Sequence, residues 1–291
     1  MRLSGELKHA VLPFYNGGFH AARRAGEYLG AIAHGRFERC ECCGRFGPML
    51  YRPRAIPPKL REVWGLSPRL AKAVARKETL DCAFCGAKLR ARRLARVIMQ
   101  TYSCASAPQS LHEWARCSES RALRVAEINR IEGVHEAIVS LPGLAASDYS
   151  DPDGPRAKGE PPSENLSRLS YEDDSFDLVL TSETLEHIPD LDTALKEIRR
   201  ILKPGGSHLF TIPLLPGVPK TYARKRLDQD GRAIALAPPI SHPGGDWGYP
   251  VFTEFGADLP EILERAGFSV DEKFGPVTED DVAQVFVCRK V

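Results

Sequence analysis

The sequence predicts an α/β fold, a mostly parallel sheet covered by helices on both faces, with a small cysteine-bearing module ahead of it. Three observations carry this. From residue 176 onward, apolar strand-like runs alternate with amphipathic helix patterns. Two matching knuckles, Cys40-x-x-Cys43-Gly44 and Cys82-x-x-Cys85-Gly86, precede that region. Charge is also split: residues 1–100 hold 20 Lys and Arg against 7 Asp and Glu, net +13, and the remainder holds 20 against 31, net −11. Such asymmetry argues for two modules, the first able to face an anionic partner.

The elements follow in order. Residues 18–34 have helical spacing, with Phe19, Ala22, Tyr28, Leu29 and Ile32 among the apolar positions. The first knuckle comes next, then a Pro- and Arg-rich stretch, then the second knuckle. A helix after it carries Leu89, Leu94, Val97 and Ile98 on its apolar side. "LRVAEINRIEGVHEAI" reads as strand, turn and helix, and residues 151–163 as a loop. "FDLVLTS" is a buried strand. "DTALKEIRRILKPGG" is a helix with Ala194, Leu195, Ile198, Ile201 and Leu202 on one face, stopped by Pro204-Gly205-Gly206. "SHLFTIPL", "LPEILERAGF" and "AQVFVCRK" then read as strand, helix and strand.

Composition sets further bounds. With 43% hydrophobic and 27% charged residues the chain is of globular type. No apolar run approaches the ~20 residues of a membrane span. The first residues are interrupted by Glu6, Lys8 and His9, unlike a secretory signal, so a cytoplasmic location is expected. In that compartment eight cysteines argue for metal or free thiols before disulfides.

Cys40, Cys43, Cys82 and Cys85 have the chemistry of a structural Zn²⁺ shell, closed by four thiolates and therefore not catalytic. The 38 residues between the pairs exceed the usual spacing, and Cys42 can compete as a ligand. The rival reading is a redox dithiol, which needs only one pair. After the second knuckle, Lys88, Arg90, Arg92, Arg93 and Arg96 crowd one helix. They can grip phosphates, or they can form a solvated helix face or one docked on the acidic C-terminal region. The absence of interleaved aromatics favours a solvated or docked face.

The run "LSYEDDSFDLVLTSETLEHIPDLDTALKEIRRILKPGGSHLFTIP" resembles the core of class I S-adenosylmethionine-dependent methyltransferases of the type 11 kind. The acidic turn before Phe176-Asp177, "LEHIPD" and "LKPGG" carry the likeness, and "YPVFTEFGADLPEILERAGF" resembles the end of such a domain. The knuckles are similar to a zinc ribbon found in a subset of these enzymes, so the resemblance spans roughly residues 37–290. It implies a Rossmann-like seven-stranded sheet, an N-terminal helical extension over 1–36, a zinc-ribbon module with its basic helix over 37–103 and a methyltransferase domain over 104–291.

The resemblance also implies site roles. S-Adenosylmethionine lies beyond the carboxyl ends of the first strands, as ligands do in open α/β sheets. Glu127 and Gly133 then belong to the first loop, where Asn129 and Ile131 stand in place of glycines. Asp148 accepts the ribose hydroxyls, and Glu164, Asn165 and Leu166 face the adenine. Ser182 lines the methionine end or the acceptor pocket, together with Glu183. Because the sulfonium is already activated, alignment dominates, and a base is needed only for a hydroxyl or protonated amine. His187, His242 and Glu183 are the candidates, His187 having a second reading as a brace for the following helix. Trp247, Tyr249 and Phe252 can wall a flat or sugar-like acceptor. The expected activity is methyl transfer to a small molecule or glycan. Its rivals are an RNA methyltransferase binding nucleic acid through the basic module, and a degenerate fold serving as a binding module.

Overall fold

The computed structural model describes residues 25–26, 28–30, 36–51, 56, 58–148, 162–238, 240–242 and 249–291. Most of the helix expected over 18–34, most of the loop over 151–163 and Trp247 lie outside these residues.

Two knuckle strands, β1 (Phe37–Arg39) and β2 (Phe46–Leu50), form an antiparallel hairpin, and β3 (Asp81–Cys82) pairs with β2. Between β2 and β3 run α1 (Pro58–Val63) and α2 (Pro68–Thr79). The α2 start shows why: Pro68 fits the first turn, and Ser67 Oγ accepts from Leu70 N at 3.1 Å. The basic helix is α3 (Leu89–Thr101), followed by the short α4 (Leu111–Trp114) and α5 (Ser118–Arg121).

The central sheet takes β4 (Val125–Ile128), β5 (Leu144–Ser147), β6 (Phe176–Ser182) and β7 (Leu202–Thr211) in parallel. Helix α6 (Val134–Ile138) joins β4 to β5, and α7 (Leu191–Ile201) joins β6 to β7. Asp190 caps α7, accepting from Thr193 N at 3.0 Å. A short antiparallel arm follows: β8 (Tyr222–Ala223), β9 (Lys225–Leu227), β10 (Ala233–Ala235), β11 (Ser241–His242), β12 (Tyr249–Pro250) and β13 (Thr253–Glu254). Then come α8 (Leu259–Arg265), β14 (Phe268–Lys273) and β15 (Val285–Lys290). The sheet order is β14-β15-β7-β6-β4-β5, with β14 and β15 antiparallel.

Two expectations change. The sheet has six strands among the described residues, not seven. Beyond β5, residues 162–168 make one parallel bridge, Asp148 to Ser163. Pro162 has no N–H for a ladder, and the Asn165–Arg168 turn reverses the chain at once. In addition, α7 stops at Ile201, and Leu202 begins β7 rather than completing the helix face. Pro204-Gly205-Gly206 thus lie within the strand. A Cβ on Gly206 would sit 3.1 Å from the carbonyl oxygens of Phe176 and Asp177, so glycine permits the close approach of β7 to β6.

Strand alternation divides the core. Val125, Leu178, Leu180, Leu209, Val285 and Val287 face α3, α6 and the cysteine module. Ala126, Ile128, Val179, Phe210, Phe286 and Cys288 face α7 and α8. Phe176 joins this second face because the register shifts between it and Leu178. The first cluster is continuous from Cys40, Cys82 and Ala87 through Leu94 and Val97 to the sheet. Packing therefore does not follow the boundary expected at residue 103, because the basic helix is one of the sheet's covering layers.

Candidate active site

The knuckles converge. Sγ atoms of Cys40, Cys43, Cys82 and Cys85 all lie within 4.8 Å of one another, with Cys40–Cys85 at 3.7 Å and Cys43–Cys82 at 3.8 Å. Four thiolates about 2.3 Å from a shared tetrahedral ion stand about 3.8 Å apart. Gly44 and Gly86 follow the pairs at φ 77° and 73°, which lets each loop curl. Cys42 is excluded from the set, since its buried thiol faces Ala91 O at 3.8 Å.

The carboxyl end of β4 holds Glu127, fully buried. Its Oε1 accepts from Ile131 N at 3.0 Å, and Oε2 pairs with His135 Nδ1 at 2.6 Å. Burial pushes its carboxyl pKa up against those two bonds. Glu127 thus shapes the loop instead of presenting itself to a ligand. Asn129, where the resemblance implies glycine, takes φ 64°, a left-handed conformation that asparagine tolerates. Gly133 lies against the second knuckle. A Cβ there would lie 2.3 Å from the Ala87 Cβ, so its bareness permits docking of the second knuckle.

Asp148 follows β5 with its carboxylate bound by Arg130, Nη2 to Oδ2 at 2.6 Å and Nε to Oδ1 at 3.0 Å. The guanidinium lowers the Asp148 pKa. The three residues expected at the adenine are placed as follows. Glu164 is buried on Ser170 N and Oγ, Asn165 Oδ1 accepts from Ser167 N at 2.9 Å, and Leu166 is in the second core cluster. All three build their own loop.

A cavity of about 460 Å³ opens where β6 and β7 end. Ser182, Glu183, His187, Leu214, Arg224, His242 and Tyr249 are among its walls, as are Trp64, Lys77 and Arg90 from the N-terminal module. Lys77 is only 4% exposed; its Nζ donates to Glu183 Oε2 at 2.7 Å and to Ile212 O at 3.2 Å. Glu183 sits at φ 51° and is held by this cation, which argues against its expected role as a base. Arg90 Nη1 donates to Ser182 Oγ at 2.5 Å while its Nε reaches Glu78. Burial would raise the Glu78 carboxyl, but Arg90, Lys77 and Lys88 hold it at about 2. His187 Nδ1 donates to Pro250 O at 2.8 Å, bracing β12 and not the helix. Tyr249 lines the cavity as expected. Phe252 is buried, and Lys225 lies 6.0 Å from its ring.

Other charges of the basic helix are also spent. Arg92 pairs with Glu38, Arg93 with Asp281 and Arg96 with Glu41.

The family model described as a methyltransferase domain matches residues 153–210. That stretch contains β6, α7 and most of β7. This segment is similar to a methyltransferase domain. Among curated relatives, the chain is similar to a ubiquinone/menaquinone biosynthesis C-methyltransferase of Hydrogenovibrio crunogenus, at 35% identity over 117 residues, 35% of this chain and 46% of that one. It is also similar to a demethylmenaquinone methyltransferase of Staphylococcus haemolyticus, at 32% over 109 residues, 35% and 44% of the two chains. The methyltransferase domain thus spans less than half the length of these relatives. Among solved structures, an S-adenosylmethionine-dependent methyltransferase from Mesorhizobium loti matches at 19% identity and TM-score 0.38, over 58% of this chain and 91% of that one.

Lys77, Glu78, Glu186 and Trp64 were not singled out from sequence. Lys77 and Glu78 lie in an ordinary amphipathic helix, and only the Glu186-His187 adjacency offered a signal.

Proposed function

We propose that this domain transfers a methyl group from S-adenosylmethionine to a small-molecule acceptor bound in the cavity. The observation that carries the reading is the position of that cavity, beyond the carboxyl ends of β6 and β7 within the family-matched segment. Its volume lies in the range of small-ligand sites, roughly 300–1,000 Å³. The curated relatives are named for quinone biosynthesis, which supports a flat, partly apolar acceptor. Trp64 and Tyr249 offer aromatic walls for it. A glycan acceptor has the same aromatic support and nothing further. The RNA reading loses support because the basic helix is neutralised internally.

The residues fit the cofactor at its ribose end. Asp148 would take the ribose hydroxyls once it leaves Arg130. Both side chains are half-exposed, at 37% and 42%, so ribose competes with a surface pair worth about 0–1 kcal/mol. The Asn129–Arg130 backbone would flank the methionine end. When bound, the cofactor supplies a methyl on an activated sulfonium. The chain aligns the acceptor and excludes water, with the His187–His242 corner facing the acceptor's nucleophilic atom. The four knuckle thiolates would hold a structural zinc that sets how the second knuckle meets Gly133.

Isothermal titration with S-adenosylhomocysteine tests the reading. Micromolar binding is expected, and no heat at millimolar ligand would overturn it. Metal analysis of freshly purified protein should find zinc, and Cys85→Ser should lose it together with cooperative unfolding.

A further inference from the structure

We propose that Glu186, His187 and His242 form a second metal centre, which takes a divalent first-row transition cation and leaves coordination positions open to the cavity. The three donor atoms lie within 4.8 Å of one another. Glu186 is 0% exposed, and neither of its carboxylate oxygens has a hydrogen-bond partner. A buried carboxylate without a partner is costly unless a cation meets it. Nearby cations do not. Arg90 acts on Glu186 only through space, its guanidinium bonding Ser182 and Glu78 instead.

The histidines are set up as ligands. His187 donates through Nδ1 to Pro250 O, which leaves Nε2 as the lone-pair nitrogen, 3.5 Å from Glu186 Oε1. Metal-binding imidazoles are commonly oriented by such a carbonyl. His242 comes from β11, and its Nδ1 stands 3.5 Å from the same oxygen. The two rings are 5.0 Å apart and nearly perpendicular, at 85°, and Trp64 packs edge-on against His242 at 5.8 Å. A plain imidazolium–carboxylate pair would close to about 2.7–3.2 Å. Both observed separations are longer. They match the edge of roughly 3.4 Å between ligands bonded at about 2.1 Å around a tetrahedral ion.

Two imidazoles and one carboxylate suit Zn²⁺, Mn²⁺, Fe²⁺ or Co²⁺ rather than the all-oxygen shells of Mg²⁺ and Ca²⁺. Three protein ligands leave room for one more, unlike the closed cysteine shell. Because His187 and His242 both line the cavity, an oxygen of the acceptor is the natural further ligand. The assignment stands whether or not the domain transfers methyl groups.

Co²⁺ titration of the full-length protein, stripped of metal, separates the two centres by their spectra. The cysteine centre shows intense thiolate charge-transfer absorption, and the histidine centre shows weak visible bands alone. The wild type should take up a thiolate-bound equivalent and a second, non-thiolate one. Glu186→Gln and His242→Asn should each lose the non-thiolate equivalent and keep the thiolate absorption. Uptake confined to the thiolate site in wild type, or non-thiolate uptake unchanged in either variant, would overturn the proposal.

Discussion

The two halves of the sheet's carboxyl edge differ. At the β4–β5 half, each sequence-marked acid has a partner in the chain: Glu127 holds Ile131 and His135, and Asp148 holds Arg130. At the β6–β7 half the chain leaves a cavity and places a fully buried Glu186 beside it with no hydrogen bond. The first half is stabilised in its present shape, whereas the second keeps the Glu186 carboxylate without a hydrogen bond. Both halves are buttressed by the N-terminal module, which sends the knuckle at Ala87 to the first and Lys77 and Arg90 to the second.

The largest expected effect breaks the second half. Lys77→Met removes the cation that compensates Glu183 and should cost roughly 3–5 kcal/mol in chemical denaturation, the range for a broken buried pair. A loss under about 1 kcal/mol would mean that Glu183 is adequately solvated by the cavity. Next, Gly133→Ala tests whether the first half rests on the knuckle. Its new methyl would collide with Ala87 at a φ of 83°, and a loss of about 1–3 kcal/mol is expected. A third test, read as a pH dependence, lies in the sheet beneath both halves. Burial pushes His208 down to about 3. The unfolded chain takes up a proton there below about pH 6.5, and the fold does not until about pH 3. Stability from this site is therefore present above about 6.5 and lost as pH falls toward 3. Thermal unfolding of His208→Gln should lose less stability over that window than wild type.

Much of the fold was legible because strong periodicity left few options. "FDLVLTS" is β6 as read, and Ala194, Leu195, Ile198 and Ile201 are buried on α7. The cysteine pairs were legible because thiolate spacing is itself geometry. The six-strand count was not, since Pro162 and the turn after it act against pairing only in the context of β5. The side-chain directions of the adenine trio were not legible because loop position does not say which way a side chain turns, and Glu164 turns to Ser170. The Lys77–Glu183 pair was not legible because it forms only after two distant segments pack together.

Isothermal titration of S-adenosylhomocysteine into wild type, Asp148→Ala and Arg130→Ala tests the central claim, that a β5 carboxylate now held by Arg130 takes the cofactor's ribose. Asp148→Ala should weaken binding by about 10–100-fold, the scale of lost hydrogen bonds to a charged group. Arg130→Ala should leave it unchanged or tighten it by up to about fivefold. Unaltered affinity in Asp148→Ala, or abolished binding in Arg130→Ala, would contradict the account.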